Sequence, residues 1–218
     1  MTSPRRLALD WRPILLEAFF VVLGVVLALA ANEWRQGAVN RREAATALAG
    51  VREELAANRR AVLESAEYHL RLGDTLTALV RSARPGGPPG AVPDPRLFDR
   101  GFVHPAQLLS TAWDAASATD VVRHMDYGDV LVIARIYEEQ RDYARQSEVV
   151  GGLIYTGLLN QGFGGMLRNY PNLNTIIGTF WYRECQLLRR YDEVLARLDG
   201  PPADAPRLPE RCRRLGGR

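Results

Sequence analysis

The sequence predicts an all-α protein in which an N-terminal transmembrane helix continues into an antiparallel bundle of about four helices. Three observations carry that expectation. Ile14 to Ala31 is an apolar run broken by one charge, Glu17. As a helix it measures about 27 Å at about 1.5 Å per residue, close to the hydrocarbon thickness of a bilayer, about 30 Å. Beyond it, apolar residues recur at helical spacing in several segments. No period-2 alternation of useful length, the mark of a half-buried strand, appears anywhere.

Residues 1–12 form a short basic tail with Arg5, Arg6 and Arg12, which favours a cytoplasmic N-terminus. The transmembrane helix is expected over 13–34. Trp11 and Trp34 bracket the apolar run, where indole rings favour the headgroup layers. Arg35, Arg41 and Arg42 follow on the far side and balance the basic count, so orientation rests on the tail alone. Two other readings stand beside the anchor. One is a cleaved secretory signal, with Ala28-Leu29-Ala30 as the small-x-small site; the other is a buried helix of a soluble protein. Glu17, Gly24, Ala28 and Ala31 fall on one helical face. Gly24 and Ala28 form a small-xxx-small pair that permits close helix approach, which reads as a homo-oligomer contact. Alternatively, Glu17 reaches back to water and the small residues are ordinary membrane filler.

A helical bundle domain is expected over 35–200. From Arg41 to Arg81 the chain is rich in good helix formers. Leu48, Val51, Leu55, Asn58, Val62, Ser65, His69, Leu72, Leu76 and Leu79 alternate spacings of three and four. The polar middle of that seam (Asn58, Ser65, His69) suits packing against the protein's own later helices better than an independent coiled coil. A proline- and glycine-rich break lies between 83 and 104, with RPGGPPGAVPDP at its heart. A second helix is expected from Pro105 to about Ala118, with Leu108, Leu109, Ala112, Trp113 and Ala116 as its stripe. Asp126, with Asp129 three residues on, looks like the cap of a third helix that kinks at Gly151-Gly152. Gly162 to Gly165 and Tyr170-Pro171-Asn172 read as a second break. Asn172 or Asn174 then caps a last helix ending at Gly200-Pro201-Pro202. Residues 201–218 are expected to be a flexible tail.

Composition bounds the function. The chain has 218 residues, 47% of them apolar, and a net charge of +3 supplied entirely by arginine. That supports one domain beyond the anchor, and with no contiguous basic cluster it gives no case for nucleic acid. Cys185 and Cys212 fit no metal pattern. As a disulfide they would close a loop of about 26 residues, worth about 3 kcal/mol in the chain-entropy model; as free thiols they would do nothing of the kind.

Chemistry is hard to find. His69, His104 and His124 share no ligand spacing and read as surface or bundle-face residues. Ser110, Asp114 and His124 lack the strand-turn-helix setting of a hydrolase. Gly162-Phe163-Gly164-Gly165 lacks the lysine of a phosphate loop. Asp126, Asp129, Glu138, Glu139 and Asp142 read as caps and solvated charges, and no Glu-x-x-His pair points to a metal. Trp113, Tyr127, Tyr137, Tyr143, Tyr155, Phe180, Trp181, Tyr182 and Tyr191 crowd the second half. Core packing accounts for most of them, and a ligand pocket rimmed by phenols is the other use. No catalytic, cofactor or metal residue is expected, and the chain is not expected to be an enzyme.

The run Glu17-x-Phe19-Phe20-Val21-Val22-Leu23-Gly24-Val25-Val26-Leu27-Ala28-Leu29, followed by Asn32-Glu33-Trp34, resembles the N-terminal anchor of a family of uncharacterised bacterial membrane proteins defined by a domain of unknown function. Leu109 to Asp114 and Asp126 to Tyr137 extend the likeness to a Trp-bearing helix and a Tyr-ending helix. The resemblance implies a single-pass membrane protein with a helical domain, and it brings no activity and no site residues.

The expectation is therefore a single-pass protein of the bacterial inner membrane with its C-terminal domain in the periplasm. Its partners would be the lipid bilayer, an envelope protein that it binds or scaffolds, and a second copy through the membrane helix. An extracytoplasmic ligand-sensing bundle is the alternative, and an enzyme of unrecognised class the third.

Overall fold

The computed structural model describes residues 11–82, 92–198 and 207–215. The basic tail with Arg5 and Arg6, the heart of the Pro/Gly loop (83–91) and the Gly200-Pro201-Pro202 stop lie outside the described residues. Every regular element described is helical: α1 (Trp11–Ser82), α2 (Thr111–Ser117), α3 (Tyr127–Arg168), α4 (Tyr170–Arg197) and α5 (Glu210–Arg214), with 3-10 turns at Pro95–Phe98 and Asp120–His124.

The first helix dominates. Its 72 residues run without a break from the apolar segment into the domain, a length of about 108 Å. Within α1, one window is long and apolar enough to cross a membrane, and 0% of it is buried against the rest of the chain. Residues 32–43 follow as a mostly exposed stretch, and Ala44 is the first buried residue.

Beyond that point α1 packs with α3 and α4. Pairings of Arg59 with Asp192, Ser65 with Glu184 and Thr77 with Asn174 show that α4 runs antiparallel to α1. Glu54 meets Tyr137 and Asn58 meets Gln140, so α3 runs parallel to α1. One apolar cluster fills the end near the apolar segment (Val51, Leu55, Val62, Ile133, Ile136, Leu188, Leu195). A second fills the far end (Leu72, Leu76, Phe98, Phe102, Ile154, Leu173, Ile177).

Several expectations need correction. The domain is built on three long helices rather than about four. The stripe starting at Pro105 does not make a bundle helix: only Thr111–Ser117 coils, and the ten residues before it form an irregular strap. Pro105 and the polar groups that α1 offers to the strap's backbone explain this. The bend in α3 falls at Gly162 (φ 67°, ψ 173°), where the expected second break begins, and not at Gly151-Gly152. Tyr170-Pro171-Asn172 opens α4 instead of breaking the chain, because Pro171 occupies a first-turn position where no N–H is required. Asn169, not Asn172 or Asn174, sits at the cap position. Asp126 caps α3 as expected, its carboxylate accepting from Asp129 N–H at 3.1 Å.

Within the expected tail, the described residues of α5 are tied to the domain. Cys185 and Cys212 form a disulfide with Cα atoms 5.0 Å apart, within the usual range for such a bridge. It holds α5 on α4, and Arg211 adds an ion pair to Asp74 of α1 at 2.5 Å.

Candidate functional site

The polar seam of α1 has a defined job. Glu54, Asn58, Ser65 and His69, at steps of four, seven and four, share its inner face, and all are buried. Asn58, Ser65 and His69 meet the backbone of the strap that precedes α2, and Glu54 meets the first turn of α2 itself. Tyr68 Oη donates to Gly101 O at 2.5 Å. Ser65 Oγ donates to His104 O at 2.5 Å, while His104 N–H donates to His69 Nε2 at 3.0 Å. Asn58 pairs both ways with Leu109, giving its Nδ2 to the carbonyl at 2.7 Å and accepting the N–H on Oδ1 at 2.8 Å. Glu54 Oε2 accepts from Ala112 N–H at 2.9 Å. Glu54 thus caps α2 from another helix, and Ser110, in the cap position, makes no side-chain cap of its own.

These contacts explain the failed helix. A strap backbone has no ladder partner, and burying its polar groups unpaired costs about 1–3 kcal/mol apiece. The α1 side chains supply those partners at Gly101, His104 and Leu109, and Tyr143 of α3 supplies one at Ala106.

The centre of the clamp is a four-residue cluster. His69 Nδ1 lies 2.9 Å from Glu184 Oε2, with both side chains fully buried. Because His69 Nε2 accepts from a backbone N–H, the ring proton belongs on Nδ1, which donates to Glu184. Ser65 Oγ sits 2.6 Å from Glu184 Oε1, and Tyr143 Oη donates to the same oxygen at 2.9 Å. Tyr143 Oη also accepts from Ala106 N–H at 3.0 Å. Burial first, then the adjacent Glu184 carboxylate, holds the Tyr143 phenol well above its ordinary range. Tyr137 is raised by burial and by its 2.5 Å hydrogen bond to Glu54. Burial pushes Tyr191 up as well.

A Ser, a His and a Glu in contact suggest nucleophilic catalysis, but the arrangement is wrong for it. The single Ser65 O–H lies between the Glu184 carboxylate and a carbonyl rather than on His69, both ring nitrogens are committed, and none of the three reaches solvent. The cluster is a fastening. Sequence reasoning placed His69 on a bundle face and did not reach its partner. The signal that could have found it was the polar run Asn58, Ser65, His69 in an apolar seam, which demands buried partners.

Other singled-out residues are scattered. Ser110 donates to Asp114 at 2.7 Å at the start of α2, and His124 is an exposed residue of the second 3-10 turn. The tyrosine hydroxyls do not rim one pocket: Tyr137 and Tyr143 turn inward to Glu54 and Glu184, while Tyr127, Tyr155 and Tyr182 are exposed. Among the described residues no three His, Cys, Asp or Glu side chains gather where a metal ion would fit.

Three surfaces remain open. In the apolar segment, Glu17, Gly24, Ala28 and Ala31 are exposed, as are Trp11 and Trp34. At about 100° per residue the small face points away from the side of α1 that Leu55, Asn58 and Val62 turn to the core. At the far end of the domain, α3 exposes Val149, Leu153, Tyr155 and Leu159, the last at 88%. A groove of about 410 Å³ lies between the strap and α3, lined by Gln140 and Arg141 among others. No family model, no curated protein and no solved structure matches this chain.

Proposed function

We propose that this chain is a single-pass protein of the bacterial cell envelope, anchored by the apolar start of α1, whose helical domain binds or scaffolds an envelope partner on the periplasmic side. The observation that carries the reading is the wholly unburied apolar window inside an unbroken 72-residue helix. Bulky apolar side chains from Leu15 to Leu29 find nothing among the described residues to cover them. A bilayer removes that surface from water, at about 25 cal/mol per Å².

Two features support the rest. The disulfide fits an oxidising compartment. The exposed band on α3 is the kind of surface that marks a protein contact. Ile154 shares a cluster with Leu72 and Leu76, so the band stands about 65 Å beyond the apolar run, out of reach of the lipid that holds the anchor. Nothing lies within 4 Å of a Cβ built at Gly151 or Gly152, so another helix can approach closely. The occupant that suits this surface is an amphipathic helix of a second envelope protein.

The test is site-specific photo-crosslinking from Leu159 in intact membranes. The reading expects a discrete adduct with an envelope protein, lost when Leu153 is changed to Glu. An adduct insensitive to Leu153→Glu, or none, removes the partner-binding reading. The side of the membrane is read separately from Asn160→Cys, which should react with an impermeant maleimide while the inner membrane is intact. Reaction only after lysis contradicts the periplasmic placement.

A further inference from the structure

The groove between the strap and α3 holds an unmet hydrogen-bond donor. Gln140 is 4% exposed, and its Nε2 is buried with no protein partner. Its orientation is imposed by a chain of contacts that begins on the backbone. Leu109 N–H donates to Asn58 Oδ1, which leaves Asn58 Nδ2 facing Gln140. A donor there requires the glutamine oxygen opposite it, and Oε1 accepts at 3.2 Å. Turning the amide over would set two NH₂ groups against each other. The Gln140 nitrogen is therefore the amide atom not engaged by Asn58, and Gln140 is one of the residues that line the groove.

The next residue supplies a charge. Arg141 also lines the groove, is exposed, and has no ion-pair partner among the described residues. The groove's carboxylate, Glu148, is seven residues further along α3, about 10 Å from Arg141. A buried amide donor beside an unpaired guanidinium asks for an anionic acceptor, and carboxylate geometry matches the guanidinium fork. Leu108 of the strap and Ala144 of α3 offer apolar wall for a short hydrocarbon body.

We propose that this groove is a binding site for a small organic carboxylate, whose oxygens accept from Gln140 Nε2 and pair with the Arg141 guanidinium. Occupancy would bridge α3 to the strap and so tighten the element that α1 clamps. The site does not depend on the membrane reading, since none of its residues lies in the apolar segment.

The experiment is titration calorimetry on the full chain in detergent micelles, with sodium propionate as probe and with propionamide and sodium chloride as comparisons. Saturable binding of propionate is expected, with propionamide far weaker and chloride giving none. Arg141→Ala, at an exposed position, should weaken propionate binding by roughly tenfold or more. Gln140→Leu should abolish it while leaving the chain folded, read by circular dichroism. Absence of saturable propionate binding would mean that Gln140 Nε2 is met by water alone and would overturn the proposal. Propionate binding unchanged in Arg141→Ala, or matched by chloride, would overturn it equally.

Discussion

At the scale of single residues, Asn58 is the position where sequence and structure meet most closely. Its one amide satisfies both backbone groups of Leu109 and fixes the face of Gln140. Asn58→Ala should cost about 2–4 kcal/mol in urea unfolding, since it strands a buried N–H and a carbonyl together. Asn58→Asp should not rescue it, because a carboxylate oxygen would then face the Leu109 carbonyl. A loss below about 0.5 kcal/mol, the ordinary scale for a surface change, would refute the clamp. The buried phenols set a pH limit. Tyr137, Tyr143 and Tyr191 are raised by burial, so the native state keeps protons that unfolded tyrosines release near about pH 10. Their contribution is whole below that pH and is lost as pH rises beyond it. Tyrosinate absorbance of these residues should appear only together with loss of helical circular dichroism, and earlier ionisation would contradict their burial. The composition of the seam was legible in the sequence, but its partners were not. Glu184 lies 115 residues from His69, and no local spacing reports a contact at that range.

At the scale of elements, the long helices were legible and their interruptions only in part. α1 shows an unbroken supply of helix formers and a single inward stripe. α4 likewise carries a clear apolar face (Ile177, Phe180, Leu188, Tyr191). The strap escaped because Leu108, Leu109, Ala112 and Trp113 have helical spacing; what decides their conformation is hydrogen bonding to α1, which the pattern does not record. The break expected from Gly162 on was legible, whereas the kink expected at Gly151-Gly152 was not found there: of these three glycines only Gly162 takes a positive φ. Its combination of φ and ψ is open essentially to glycine alone. Gly162→Ala meets no steric contact but should cost about 1–3 kcal/mol in backbone strain, whereas Gly151→Ala should be neutral or mildly stabilising. Thermal unfolding of the two variants separates them, and an equal response would place the bend elsewhere. The Cys185–Cys212 bridge spans 27 residues, so Cys212→Ser paired with Cys185→Ser should remove about 3–4 kcal/mol on the chain-entropy account. Loss of protection confined to α5 in hydrogen exchange is expected first.

At the scale of the whole molecule, one continuous helix joins a stretch suited to lipid to a domain fastened by buried polar contacts. The continuity matters because it leaves no hinge between the apolar segment and the core: the stretch over 32–43 is helical throughout. The domain would therefore stand about 15–20 Å off the end of the apolar run, on a single stalk, with its α3–α4 turn at the far tip. The most direct measurement is alkaline carbonate extraction of membranes from cells making the full chain, with intact mass determined on the recovered protein. The account predicts a chain that stays in the membrane pellet, is released only by detergent, and keeps its entire 24.3 kDa mass. Recovery in the soluble fraction, or a chain shortened to begin at Ala31, would contradict it.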